Sequence, residues 1–182
     1  MRFVLVLVVV ALSYGTASAQ MVPPPIIEEP KMTVGGSLVV YVPQGDADDT
    51  SDTSLGIRGH FTYKFRPFLA GIGTFDYVFV NEDGDAAITY YNISAGARFI
   101  KPRPGLIEPY GEVLLGYHAF DAEGIDTETA LGFRIGGGIL YPFSNKLLAN
   151  LALNYSAASF DVGFADVDVN ALILEVGVAI KI

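Results

Sequence analysis

The sequence has no cysteine, no tryptophan and only two histidines. Without cysteine there is no disulfide, no thiol nucleophile, no cysteine-based zinc site and no lipid attached through a thiol. Charge is also scarce. Only 17% of residues are Asp, Glu, Lys or Arg, against about 25% in ordinary soluble domains. With 51% hydrophobic residues, the chain is too apolar for a disordered segment. Bases are the scarcer sign, 11 against 20 acids for a net charge of −9, which argues against a nucleic-acid partner. After the N-terminal segment no apolar run reaches the roughly 18 residues that a membrane-spanning helix needs. A length of 182 residues leaves room for one domain. What the chain does have is 20 Gly, 10 Tyr and 12 Phe, a composition suited to strands and turns.

The N-terminus reads as an address. Arg2 precedes an apolar run from Phe3 to Leu12, and Ala17-Ser18-Ala19 then supplies small residues at the cleavage positions. This is the pattern of a secretory signal peptide, residues 1–19, cleaved after Ala19. The run is far shorter than the roughly 20 residues that cross a hydrocarbon core. Val22-Pro23-Pro24-Pro25 opens a proline-rich periplasmic leader over 20–31, extended because proline fixes φ and removes ladder donors. Residues 32–182 form the remaining domain.

Within that domain, large apolar residues alternate with small or polar ones at period two, the mark of strands. The clearest case is the last segment: Leu172, Leu174, Val176, Val178, Ile180 and Ile182 fall on one face, with Ile173, Glu175, Gly177, Ala179 and Lys181 on the other. Seven earlier segments divide likewise, at about 32–42, 55–65, 69–80, 87–99, 107–119, 129–141 and 147–157. Each is long enough for the 9–11 residues that a tilted strand needs to cross a bilayer. The polar face collects Arg58, His60, Lys64, Asp76, Arg98, Glu108, Glu112, His118, Arg134, Glu175 and Lys181. Its charges nearly cancel, as an internal ion network requires, since an unpaired buried charge is costly. Backbone groups in lipid must all be paired, so such strands must close on themselves. The expected fold is all-β: an eight-stranded antiparallel up-and-down transmembrane β-barrel, with an interior that side chains just fill.

The connections sort by sign. With the N-terminus in the periplasm, the outward loops are 45–54, 81–85, 121–128 and 160–168. They hold Asp46, Asp48, Asp49 and Asp52; Glu82, Asp83 and Asp85; Asp121, Glu123, Asp126 and Glu128; and Asp161, Asp166 and Asp168. The inward turns, at 66–67, 101–105 and 142–146, are basic and contain proline, with no acid. Short periplasmic turns and longer external loops are the pattern of a transmembrane barrel. Tyr63, Phe65, Phe68, Phe99, Tyr141 and Phe143 cluster near the inward turns, where an interfacial aromatic girdle belongs.

On these features the chain resembles the small outer-membrane β-barrel family of Gram-negative bacteria, the OmpA transmembrane domain and OmpX-like group. The C-terminal Glu175-Val176-Gly177-Val178-Ala179-Ile180-Lys181-Ile182 is similar to the family's assembly signal, with Glu175, Gly177, Ile180 and Ile182 at its defining positions. It departs from the pattern at Ile182, where the family usually carries an aromatic residue. The resemblance implies insertion by barrel-assembly machinery, residence in the bacterial outer membrane, and outer-membrane lipids and lipopolysaccharide as surroundings. It does not specify an external partner.

No catalytic residue, cofactor or metal site is expected. Two histidines are too few for a histidine-based metal cluster. Lipid-modifying barrels of this size pair His with Ser two residues on, whereas His60-Phe61-Thr62 and His118-Ala119-Phe120 lack that serine. The acidic loops lack the spacing of an EF-hand and read as a solvated surface. The Asn92-Ile93-Ser94 sequon falls mid-strand and carries no glycan on this reading. The leading function is a non-enzymatic structural, surface-interaction or adhesion role. The alternatives are a narrow passive pore, with Gly116, Gly132, Gly136 and Gly138 leaving water-filled gaps, and a lipid-modifying enzyme.

Overall fold

The computed structural model describes residues 31–44, 53–80, 88–102, 107–122, 127–162 and 165–182. The expected signal peptide, nearly all of the expected leader and most of the outward acidic clusters lie outside the described residues. Eight strands follow one another: β1 (Met32–Gln44), β2 (Ser54–Arg66), β3 (Leu69–Val80), β4 (Ile88–Ile100), β5 (Glu108–Ala122), β6 (Glu128–Pro142), β7 (Leu147–Val162) and β8 (Ala165–Lys181). Each pairs antiparallel with the next, and β8 returns to β1, closing the barrel. Closure leaves no sheet edge.

Closure is antiparallel from Thr33↔Lys181 to Gln44↔Asn170. It puts the start of β1 and the end of β8 at one end of the barrel, with the connections 67–68, 101–107 and 143–146. This is the terminal end. The other, the loop end, carries 45–53, 81–87, 123–127 and 163–164.

Alternation decides which face turns inward. Along β2, buried and exposed residues alternate without a break from Ser54 to Tyr63. Leu38, Ile57, Ile93, Leu115, Ile135, Leu153 and Val176, one per strand on seven strands, are all exposed. On the opposite faces of the same strands, Ser37, Arg58, Asn92, Glu112, Arg134, Asn154 and Glu175 are all buried. The polarity is therefore the reverse of a water-soluble barrel, and the period-two reading of the sequence has the face right on every strand.

The enclosed face is layered. Ala70, Ile100, Tyr110, Leu140 and Ala152 pack together toward the terminal end. Polar and charged residues fill the middle. Val39, Tyr41, Val78, Tyr90, Ala171 and Ile173 form a second apolar layer above them. Ala130, Ala158 and Phe160, with Phe120 and Val169 against them, pack nearer the loop end.

One expectation needs correction. The loop-end connections are not uniformly the longer ones: the β7–β8 connection is residues 163–164, as short as 67–68. Ladder pairing there runs on through Ser159↔Asp168 and Asp161↔Asp166 to Val162↔Ala165. The acids in 160–168 suggest a loop, but ladder hydrogen bonds are made by the backbone whatever the side chains carry, and the pairing continues through them. The end of β2 is irregular. Register shifts between Lys64 and Arg66, a β-bulge that re-aims the strand end. The Phe65 ring then lies over Gly71, where an added Cβ would meet it at 3.0 Å.

Candidate functional site

The densest concentration of functional groups is enclosed at mid-barrel. Arg58 from β2 meets Asp76 from β3 through two bonds, Nε to Oδ1 at 2.6 Å and Nη2 to Oδ2 at 3.0 Å. The two residues are directly paired in the ladder, so sheet register alone brings them together. Arg58 Nη1 also donates to Glu175 from β8. Asp76 accepts a further bond from Arg134 of β6 and one from the Tyr41 hydroxyl of β1 at 2.6 Å. Glu175 accepts from Ser37 Oγ at 2.8 Å and Asn150 Nδ2 at 2.6 Å. These carboxylates are thus held by guanidinium, hydroxyl and amide donors together, the condition under which a buried ion pair is tolerable.

The contacts continue toward the terminal end. The Tyr110 hydroxyl donates to Asn150 Oδ1 at 2.7 Å, and the Arg98 guanidinium sits 4.0 Å from the centre of the Tyr110 ring, a cation–π contact. Arg98 is paired with Glu112 through Nε at 2.9 Å and Nη2 at 2.7 Å. On the other side, Arg134 Nη2 reaches Asn92 Oδ1 at 3.3 Å. The connected set therefore takes a residue from every strand: Ser37 and Tyr41 of β1, Arg58, Asp76, Asn92 and Arg98, Glu112, Arg134, Asn150 and Glu175. The enclosed guanidiniums Arg58, Arg98 and Arg134 are balanced by the carboxylates of Asp76, Glu112 and Glu175.

The histidines stand apart from this chain of contacts. His118 shares a hydrogen bond with the Tyr90 hydroxyl. His60 is packed against Gly35, its ladder partner, where an added Cβ would meet the imidazole at 2.4 Å. Both rings are enclosed, 5% and 1% exposed, so neither reaches an ester held in the surrounding lipid. His60, Thr62, Lys64 and Arg98 contribute to the wall of a cavity of about 10 Å³, room for about one water. Among the described residues no group of three or more His, Cys, Asp or Glu could hold a metal ion.

Lys64, Glu108 and Lys181 lie elsewhere. They are half-buried near the terminal ends of β2, β5 and β8, away from the mid-barrel contacts. Period two tells which face a residue occupies but not its height along the barrel, so all eleven polar-face groups looked alike in the sequence. Conversely, sequence reasoning misses Ser37, Tyr41, Asn92, Tyr110 and Asn150 as members. For Asn92 and Tyr110 a signal is available, since they share strand parity with Arg98 and Glu112, whereas β1 and β7 carry no singled-out residue.

The glycines do not leave gaps. An added Cβ at Gly116 would meet Ser94 Oγ at 2.2 Å, and at Gly136 it would meet Asn154 Oδ1 at 2.1 Å. At Gly132 the nearest atom is the Ala157 carbonyl oxygen at 2.5 Å, and at Gly138 the Leu151 carbonyl oxygen at 2.3 Å. The missing side chains are replaced by neighbours, not by space.

Of the C-terminal motif, Glu175 is committed to the enclosed contacts, Gly177 lies against Ser37 Oγ, and Ile180 and Ile182 are exposed. The six aromatic residues expected to form a girdle near the inward turns are all exposed. Tyr63 and Phe65 pack edge to face with centroids 5.2 Å apart, as do Tyr141 and Phe143 at 5.4 Å. Phe68 and Phe99 are exposed beside them.

Comparison with known proteins places this architecture. A family model described as "Outer membrane protein beta-barrel domain" matches residues 4–179. A search of curated proteins finds no match. Among solved structures, Neisserial surface protein A superposes with a TM-score of 0.73 at 15% identity, covering 84% of this chain and 97% of that one. Ail, the attachment invasion locus protein of Yersinia pestis, gives 0.55 at 16% identity over 82% and 96%. OprG of Pseudomonas aeruginosa gives 0.55 at 16% identity over 83% and 95%. At such identities the likeness is one of fold. A closed eight-stranded barrel, apolar outside and ion-paired inside, together with the family match over most of its length, makes this chain a member of the outer membrane protein β-barrel domain family.

Proposed function

We propose that the chain is a non-catalytic, integral barrel of the bacterial outer membrane with a structural or surface-interaction role. On this reading residues 1–19 are removed on export, and the C-terminal strand is recognised by barrel-assembly machinery. The terminal end then faces the periplasm and the loop end faces the exterior. The observation that carries this is the opposed polarity of each strand's two faces, apolar toward the surroundings and ion-paired toward the enclosed interior. That arrangement suits a lipid environment and supplies a filled core in place of a channel. Polar contacts between all the strands set register and closure without relying on apolar packing alone.

The name of the Yersinia pestis barrel speaks of attachment, and an adhesive role through the loop end is the corresponding reading here. The outward connections are rich in Asp and Glu and have no Lys or Arg. They suit a cationic partner, and repel a polyanion by like charge.

The experiment that tests the closed interior is conductance in planar bilayers. Purified, refolded protein is expected to give no sustained channel currents in salt, because the glycine positions are occupied and the enclosed charges are mutually paired. Long-lived single-channel openings would overturn the structural reading in favour of passive transport.

A further inference from the structure

Five basic residues gather on one arc of the terminal rim. Lys146 precedes β7, Lys181 ends β8, Lys31 precedes β1, and Lys64 and Arg66 end β2. β7, β8, β1 and β2 are consecutive around the barrel. Strand-end hydrogen bonds hold these bases in neighbouring positions. Lys64 N–H donates to the Lys31 carbonyl at 2.7 Å, and Lys181 N–H to the Lys146 carbonyl at 2.8 Å.

Lys31 thus stands across the ladder from Lys64, and Lys146 from Lys181. No acidic side chain stands among the described rim residues of the arc. Glu108 is on β5, outside it. Lys31, Arg66 and Lys146 are exposed, and Lys64 and Lys181 half-buried.

Beside the bases the outer surface turns apolar at once. The Tyr63–Phe65 pair lies next to Arg66, and the Tyr141–Phe143 pair precedes Lys146. Val178, Ile180 and Ile182 are exposed along β8 and beyond its end. Aromatic rings of this kind sit at the headgroup level of a bilayer, and lysine stems extend along apolar surface to bring their charge to the same level. Cations are thereby set at the height of phosphates, above an apolar wall that can take acyl chains.

We propose that this arc is a binding site for anionic glycerophospholipids, with the headgroup phosphate held by the exposed Lys31, Arg66 and Lys146 and the acyl chains lying on the exterior of β8, β1 and β2. The inference rests on the membrane reading above and adds the lipid class and its seat. Basic residues near an anionic bilayer surface contribute about 1 kcal/mol each, equivalent to about fivefold in affinity per base.

The test uses the full mature chain, folded in detergent and given equal amounts of phosphatidylglycerol and phosphatidylcholine with the same acyl chains. Bound lipid is read by native mass spectrometry. Phosphatidylglycerol adducts are expected to dominate on the wild type. The triple variant Lys31→Gln, Arg66→Gln, Lys146→Gln is expected to lose at least tenfold of that preference, while Lys101→Gln, outside the arc, retains it. Equal uptake of the two lipids by folded wild-type barrel would overturn the site and leave the membrane reading standing. Equal loss in Lys101→Gln would show a net-charge effect and also overturn it. Lipid A displacing phosphatidylglycerol from the arc would overturn the assigned lipid class. A chain that takes up neither lipid and shows no heat-dependent gel mobility would sink the membrane reading itself.

Discussion

Replacing Asp76 with Asn is expected to cost the barrel about 3–5 kcal/mol of stability, the range for removing one partner of a buried ion pair. Asp76 is fully enclosed and accepts from Arg58, Arg134 and the Tyr41 hydroxyl. Asn keeps the shape but removes the charge, leaving two guanidiniums in an enclosed space with one carboxylate, Glu175, still in contact with Arg58. Urea titration in detergent measures this, with the folded fraction read by gel mobility because the chain has no tryptophan to report. The exposed Asp168 provides the control, and Asp168→Asn is expected to stay within about 0.5 kcal/mol of wild type. An Asp76→Asn cost below about 1 kcal/mol would mean that the enclosed contacts do not hold the strands together.

A second large effect is expected on the opposite face. Leu115 is 72% exposed and near the middle of β5, paired with Ala95 and Phe133. At so exposed a position on a water-soluble protein, Leu→Arg would change stability by no more than about 0.5 kcal/mol. At the midplane of a bilayer it costs about 2–4 kcal/mol. Leu115→Arg is therefore expected to refold poorly into lipid vesicles and to unfold at lower urea than wild type. Unchanged stability in vesicles would place the exposed apolar surface in water.

These two positions also show what was legible before the fold was known. Leu115 and Asp76 were assigned to opposite faces by parity alone, because in a strand the side-chain period is two and leaves no third option. Strand number and barrel closure follow from the same alternation once lipid is the solvent. Height was not legible: Arg58 and Lys64 share a face of β2, yet one is enclosed at mid-barrel and the other lies at the rim. Height depends on shear around the closed barrel, which no single strand encodes. The ends of β7 and β8 were also obscured, because Asp161, Asp166 and Asp168 are turn-like in composition while the ladder runs on through them. The tyrosines were hidden by their dual character. Tyr41 and Tyr110 have bodies suited to an apolar layer and hydroxyls that end in the ion network, so aromatic content alone does not separate them from the outward girdle.

The most direct measurement is gel mobility of the outer-membrane fraction, with and without boiling, in mild detergent. A closed barrel keeps its ladder in detergent and migrates differently once heat opens it. The expected result is a heat-dependent shift of the protein in the membrane fraction. A protein recovered from the soluble periplasm, with the same mobility before and after boiling, would contradict a membrane barrel with its apolar face outward.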